Sequence, residues 1–161
     1  MDSLYIVVPC YNEEEVLHET TKRLTDKIDR MIAGGLISQD SRIMYVDDGS
    51  KDKTWQLIEE LHGQEPRVLG VKLSRNRGHQ NALLAGIAVA VEHADMIVSM
   101  DADLQDDVDA MDRMIDAYEA GNDIVYGVRS SRQKDTFFKR NTAQLFYRML
   151  HFPVSYTHLR A

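Results

Sequence analysis

Short apolar runs alternate with longer helically patterned segments along most of the chain, and this alternation limits the folds open to it. Leu4-Tyr5-Ile6-Val7-Val8 is a β-branched run stopped by Pro9, which cannot donate to a sheet ladder. Comparable strands are expected at 42–47, 68–73, 96–100 and 123–127. Between them, Glu14 to Ala33 places Val16, Leu24, Ile28 and Met31 at mostly helical spacing, and Gly34-Gly35 supplies a C-terminal stop. Thr54 to Gln64 carries Trp55, Leu57, Ile58 and Leu61 on a broad apolar face, and Val108 to Glu119 carries Met111, Met114, Ile115 and Tyr118. Gln80 to Val91 is apolar nearly all round, the pattern of a helix packed deeply on a sheet. Strand-helix alternation implies an α/β fold, Rossmann-like, with a mostly parallel sheet and helices on both faces.

In such sheets ligands bind outside the carboxyl ends of the strands, so the loops that follow strands are where chemistry collects. Three of these loops are acidic or otherwise polar. Met96-Ile97-Val98-Ser99 runs into Met100-Asp101-Ala102-Asp103-Leu104-Gln105. Two carboxylates one residue apart at a strand's end, with an amide two positions later, form a hard-oxygen donor set suited to Mg²⁺ or Mn²⁺, with Asp101, Asp103 and Gln105 as ligands. Such an ion offsets the charge of a diphosphate and stabilises it as a leaving group. Ile43-Met44-Tyr45-Val46 runs into Asp47-Asp48-Gly49-Ser50, and Pro9 into Cys10-Tyr11-Asn12-Glu13. A carboxylate near a base can accept the imide N–H of uracil or the paired N–H groups of guanine, and Asp47 has the alternative of holding the Gly49-Ser50 turn. Glu14 and Glu15 read as helix N-terminal charge. His79 reads as a cap or packing residue, and Asp106, Asp107 and Asp109 as residues that cap or precede the next helix. After the third strand, Ser74 to His79 opens a helix, and Arg75 with nearby backbone N–H groups faces the diphosphate side.

Val8-Pro9-Cys10-Tyr11-Asn12-Glu13-Glu14, Val46-Asp47-Asp48-Gly49-Ser50, Leu73-Ser74-Arg75-Asn76-Arg77-Gly78-His79-Gln80 and Asp101-Ala102-Asp103-Leu104-Gln105-Asp106 together resemble the family 2 inverting glycosyltransferases of GT-A fold. The branch resembled is the polyprenyl-phosphate hexosyltransferases, which includes dolichol-phosphate mannose synthase and the bactoprenol glucosyltransferases; Gly127-Val128-Arg129 and the segment from Arg140 to Tyr147 match it too. The resemblance runs from about residue 4 to about residue 152. It implies transfer of a hexose from a UDP- or GDP-sugar to a polyprenyl phosphate. It also implies a donor pocket formed by Pro9, Tyr11, Glu13, Val46, Asp48, Asp101, Ala102 and Asp103, with Arg75 and Gln105 beside it, and acceptor-phosphate contacts from Arg129 and Arg140. Asp101 and Asp103 carry the catalytic role through the cation. The acceptor is already anionic, so no general base is required.

Two other readings stay open: a nucleotide-sugar-binding module without turnover, and a family 2 transferase with a saccharide acceptor. The latter needs a downstream carboxylate base, for which only Asp135 offers itself. A complete domain of the family continues further, so residues 1–154 are expected to form an incomplete nucleotide-sugar-binding domain and 155–161 a non-native or disordered tail.

Charge separates the chain into unlike parts. Residues 1–128 hold 12 Lys or Arg against 25 Asp or Glu, a balance of −13, whereas 129–161 hold 7 against 1, a balance of +6. The acidic body argues against indiscriminate nucleic-acid binding, and the basic stretch suits lipid phosphates or an anionic membrane surface. A single Cys excludes an internal disulfide framework, and the N-terminus has no signal-like pattern. The expected location is therefore cytoplasmic, at the cytoplasmic face of a membrane. Cys10 reads as a small buried thiol. No internal repeat or membrane-spanning apolar run is present. Phe137, Phe138, Leu145, Phe146, Tyr147 and Leu150 leave open pairing into a homo-oligomer.

Overall fold

The computed structural model describes residues 1–103 and 107–127. Its elements follow in the order β1 (Leu4–Cys10), α1 (Leu17–Ala33), β2 (Arg42–Asp47), α2 (Thr54–Gln64), β3 (Val68–Lys72), α3 (His79–Ala90), β4 (Met96–Ser99) and α4 (Ala110–Glu119). The four strands form one parallel sheet in the order β3-β2-β1-β4.

β1 is buried along its whole length, as a central parallel strand must be when helices cover both faces. The two-residue period of the strands sorts their side chains between two cores. Leu4, Ile6, Val8 and Cys10 of β1, with Ile43 and Tyr45 of β2, join Leu17, Leu24, Ile28 and Met31 of α1, Ile58 and Leu61 of α2, and Met111 and Ile115 of α4. Tyr5, Val7, Met44 and Val46 point the other way and pack with Ala82 and Ala90 of α3. Tyr45 carries its hydroxyl into the first core, where it meets Thr21 Oγ1 at 2.8 Å, so the buried phenol is satisfied.

Gly86 explains how α3 approaches so closely. A Cβ at this position would lie 2.5 Å from Val7 Cγ1 and 2.7 Å from Val46 Cγ2. Glycine is thus the residue that lets helix and sheet touch.

α4 is tied to α1 by charge. Lys27 is almost completely buried, and its ammonium donates to Asp109 Oδ1 at 3.0 Å and Asp112 Oδ2 at 2.7 Å. The hydrogen bond from Lys27, foremost, and its charge hold Asp109 below the usual carboxylate range. At the other side of the molecule, Ser3 N–H and Ser3 Oγ both donate to Asp95 Oδ2 at 2.8 Å, fixing the entry to β4 beside the start of β1.

Three expectations are corrected. β1 does not stop before Pro9 but runs through it to Cys10, with Pro9 opposite Val46 and Cys10 opposite Asp47, so the missing N–H does not end the pairing here. Residues 123–127 form no strand, and Ile124 is 71% exposed. Ile124-Val125-Tyr126 supplies β propensity, but a strand exists through its ladder partner, and none of the four described strands pairs with this stretch. The first helix begins at Leu17, not near Glu14, because the backbone before it is engaged elsewhere. Asn12 adopts φ 57°, Glu13 N–H donates to Thr54 Oγ1 at 2.8 Å, and Glu14 N–H donates to Asp52 Oδ2 at 3.2 Å. The remaining helix limits agree with the pattern to within one or two residues. Met1–Val125 forms one compact unit, and the expected domain limit at residue 154 lies outside the described residues.

Replacing Gly86 by Ala should cost about 1–3 kcal/mol through overpacking against Val7 and Val46. Urea melts of the two proteins measure this; equal midpoints would contradict the close approach.

Candidate functional site

The strand order reverses between β1 and β4. Successive strands step outward from β1 through β2 to β3, and the chain then returns to the opposite side of β1 to add β4. The loops after β1 and β4 diverge at that point and leave a crevice, the position where open α/β sheets bind ligands. A cleft of about 320 Å³ occupies it, lined by Pro9, Glu13, His79, Asp101, Ala102 and Asp103.

The loops around the cleft hold one another through side chain to backbone hydrogen bonds. Asn12 N–H donates to Ser50 Oγ at 3.0 Å, Lys51 N–H donates to Asn12 Oδ1 at 2.9 Å, and Lys53 N–H donates to Glu14 Oε2 at 2.9 Å. The Glu14 carboxylate therefore serves the start of α2, not the start of α1 as its position in the sequence suggests. Asp47 is fully buried, and its Oδ1 accepts Ser50 N–H at 3.1 Å, so this carboxylate holds the turn. Gly49, at φ 68°, lies against the backbone of the next loop; a Cβ there would be 2.5 Å from the Arg75 carbonyl carbon.

Asp48 completes the lattice. Arg77 N–H donates to its Oδ1 at 2.6 Å and Gly78 N–H to its Oδ2 at 2.9 Å, which fixes the residues immediately before α3. Gly78, at φ 89°, then turns the chain so that His79 opens the helix facing the cleft. His79 Nε2 lies 3.7 Å from Asp101 Oδ1, an ion pair when the imidazole is protonated.

Of the residues read from the sequence as donor-binding, Pro9, Glu13, Asp101, Ala102 and Asp103 meet at the cleft. Tyr11 is partly exposed on the loop after β1, and Arg75 is exposed on the loop after β3. Val46 is fully buried, with its side chain against α3, so that side chain is not presented to a ligand. The Asp48 carboxylate is buried and occupied by backbone donors. Gln105, Arg129 and Arg140 lie outside the described residues. His79 joins the cleft although its sequence position indicated a cap or packing role.

Among the described residues lining the cleft, the carboxylates of Glu13, Asp101 and Asp103 stand with His79. Burial, followed by the nearby carboxylates of Asp103, Asp52 and Asp101, pushes Glu13 above the ordinary glutamate range. Excess negative charge and hard oxygen donors suit a divalent cation, and exposed Asp101 and Asp103 are the residues fitted to hold it. Among the described residues no three acidic, His or Cys side chains already converge as a ligand set. Burial, foremost, drives the Cys10 thiol far above its ordinary value, so Cys10 stays protonated and is not a nucleophile.

The sequence model of Glycosyl transferase family 2 matches residues 5–159. The chain belongs to this family. It is 52% identical over 147 residues to the uncharacterized glycosyltransferase YkoT of Bacillus subtilis (strain 168), covering 91% of this chain and 44% of that protein. A prophage bactoprenol glucosyl transferase homolog of Escherichia coli (strain K12) is 36% identical over 149 residues, with 89% and 44% covered. An undecaprenyl-phosphate 4-deoxy-4-formamido-L-arabinose transferase of Enterobacter sp. (strain 638) is 35% identical over 147 residues, with 90% and 42% covered. The chain thus spans less than half the length of these relatives. Among solved structures, S. aureus TarS 1-349 in complex with UDP superposes with a TM-score of 0.54 at 19% identity, covering 83% of this chain and 40% of that one. At that identity the likeness shows the shared α/β fold, in agreement with the GT-A architecture expected from the sequence motifs.

The raised pKa of Glu13 gives a stability test in metal-free buffer. Its folded value lies above its unfolded value, so ionising Glu13 costs stability; that cost is absent below the ordinary glutamate range and complete above the raised value. Glu13→Gln should therefore melt at a higher temperature than the parent at neutral pH, and the gain should shrink as pH falls through that window. A difference independent of pH would contradict the assignment.

Proposed function

We propose that this chain carries the donor-binding part of an inverting glycosyltransferase that moves a hexose from a UDP- or GDP-sugar to a polyprenyl phosphate. The observation that supports this most is the meeting of Asp101, Asp103 and Glu13 at the sheet's switch point in a family 2 chain. The relatives named for bactoprenol and undecaprenyl phosphate support the acceptor class.

Asp101 and Asp103 would hold Mg²⁺ or Mn²⁺, which when bound supplies positive charge to the donor's diphosphate and eases its departure. Gln105 is assigned as the neutral oxygen ligand. Pro9 and Tyr11 frame the nucleoside side, with Tyr11 exposed enough to pack on the base or ribose and Glu13 placed to accept from a ribose hydroxyl. Asp48 is assigned to the base; each of its oxygens has a second lone pair, and the clamp on Arg77 and Gly78 fixes its direction. Val46 contributes through its place beneath that loop. Arg75 faces the diphosphate side.

Arg129 and Arg140 are assigned to the acceptor phosphate, because a guanidinium offers paired donors to phosphate oxygens. An acceptor phosphate oxygen attacks the anomeric carbon opposite the diphosphate. A new carbon–oxygen bond forms, the bond to the diphosphate breaks, and its electron pair stays on the departing phosphate oxygen. The attacking oxygen carries no proton, so none of this chain's carboxylates is needed as a base, and the configuration inverts. The proposed setting is the cytoplasmic face of a membrane, reached through the basic stretch after residue 128. No helix among the described residues is long and apolar enough to cross a membrane.

Calorimetric titration with UDP-glucose and GDP-mannose, with and without Mn²⁺, tests the donor reading. Asp103→Asn should lose most of the metal-dependent gain in affinity while keeping the parent's far-ultraviolet circular dichroism. Metal-dependent binding retained in full by this variant would contradict the assignment. Labelled sugar transferred to a short polyprenyl phosphate supports the enzyme; tight metal-dependent binding without transfer supports a binding module instead.

A further inference from the structure

We infer that Thr20 of α1 is a positioning residue for the acidic loop, setting the direction in which Asp101 and Asp103 face. This deepens the proposed function and rests on its reading of the cleft.

Thr20 is 1% exposed, and its Oγ1 donates to the carbonyl of Ala102 at 2.8 Å across 82 positions of sequence. Ala102 is itself buried and stands between the two cleft-facing carboxylates. Ala102 and Asp103 lie in a turn beyond the end of β4, so the direction in which the two flanking aspartates leave the backbone depends on how the peptide between them is oriented. Holding the Ala102 carbonyl inward, toward α1, leaves Asp101 and Asp103 turned outward. On the strand side the same loop is fixed by Met100 N–H, which donates to Val7 O at 3.1 Å. The loop is therefore gripped from β1 and from α1.

A helical threonine ordinarily bonds back to its own helix, and Thr20 Oγ1 does lie 3.0 Å from Val16 O. The hydroxyl has one proton, and the shorter contact is the one to Ala102. Thr21 provides the matched comparison. It is also buried, its Oγ1 lies 2.7 Å from Leu17 O and 2.8 Å from Tyr45 OH, and among the described residues no bond joins it to the acidic loop. Losing either hydroxyl removes buried hydrogen bonding of the same helix, and losing that of Thr21 also strands the Tyr45 hydroxyl, but of the two only Thr20 bonds to a described residue of the loop.

The test compares Thr20→Val, Thr20→Ser and Thr21→Val with the parent chain. Amide hydrogen exchange at Ala102 and Asp103 is followed without metal, and Mn²⁺ affinity is read by electron paramagnetic resonance without nucleotide. Thr20→Val should speed exchange at both amides and weaken Mn²⁺ binding by about tenfold or more, the usual effect of losing a group that orients metal ligands. Thr20→Ser should restore both, and Thr21→Val should lower thermal stability while leaving both unchanged. Unchanged loop exchange in Thr20→Val, or equal loss of Mn²⁺ affinity in Thr21→Val, would overturn the inference. A parent chain that takes up no Mn²⁺, with loop exchange still faster in Thr20→Val, would sink the cation reading while leaving the loop contact in place.

Discussion

The pairing of β1 with β2 on one side and β4 on the other is the constraint from which the site follows. Only a strand apolar on both faces can occupy that central place, and Leu4 to Val8 meets the condition without a polar interruption. With β1 central, the loops after β1 and β4 must part at their carboxyl ends, and the residues that happen to begin those loops become the walls of one cleft. Pro9 at the end of β1 and Glu13 in the loop after it form one wall, and Asp101, Ala102 and Asp103 after β4 form the other. Gly86 belongs to the same constraint, since α3 must lie close on β1 and β2 for its first residue, His79, to reach the cleft.

Concentrating carboxylates in one place is unfavourable by itself. The loops that carry them are held by directional hydrogen bonds. Among the described residues, backbone N–H groups of one loop are satisfied by side chains of the next: Asn12 by Ser50, Glu13 by Thr54, Glu14 by Asp52, Arg77 and Gly78 by Asp48. Each such bond is modest in water, but breaking one strands a partly buried donor, so the set resists piecemeal loosening. Burial and the nearby carboxylates of Asp103, Asp52 and Asp101 leave Glu13 above the ordinary glutamate range. Asp101 and Asp103 stand exposed beside it on the loop after β4.

Much of the architecture was legible because it rests on local periodicity. The apolar runs of β1 and β2 and the apolar stripes of α1, α2 and α4 are visible in the chain itself, and each corresponds to an element of the structure. The stretch 123–127 misled because Ile124-Val125-Tyr126 is a short run of residues that favour strands, while pairing is set by non-local partners. Non-local polar contacts were illegible for a related reason. Nothing adjacent to Asp48 reveals that its acceptors are used by Arg77 and Gly78, nor does anything near Glu14 show that it serves α2. The convergence of Pro9, Glu13, Asp101, Ala102 and Asp103 was foreseeable once family motifs were combined with the strand-end rule, whereas His79 and Thr20 required the spatial arrangement.

Titrating the chain with trace Mn²⁺ while recording amide signals by nuclear magnetic resonance tests the central claim most directly, because paramagnetic broadening marks residues by distance from the ion. A cation held at the switch point broadens Glu13, His79, Asp101, Ala102 and Asp103 first, and the added diphosphate sugar deepens that pattern. Broadening that begins instead at Asp109 and Asp112, or at any acidic surface remote from the ends of β1 and β4, would contradict the account.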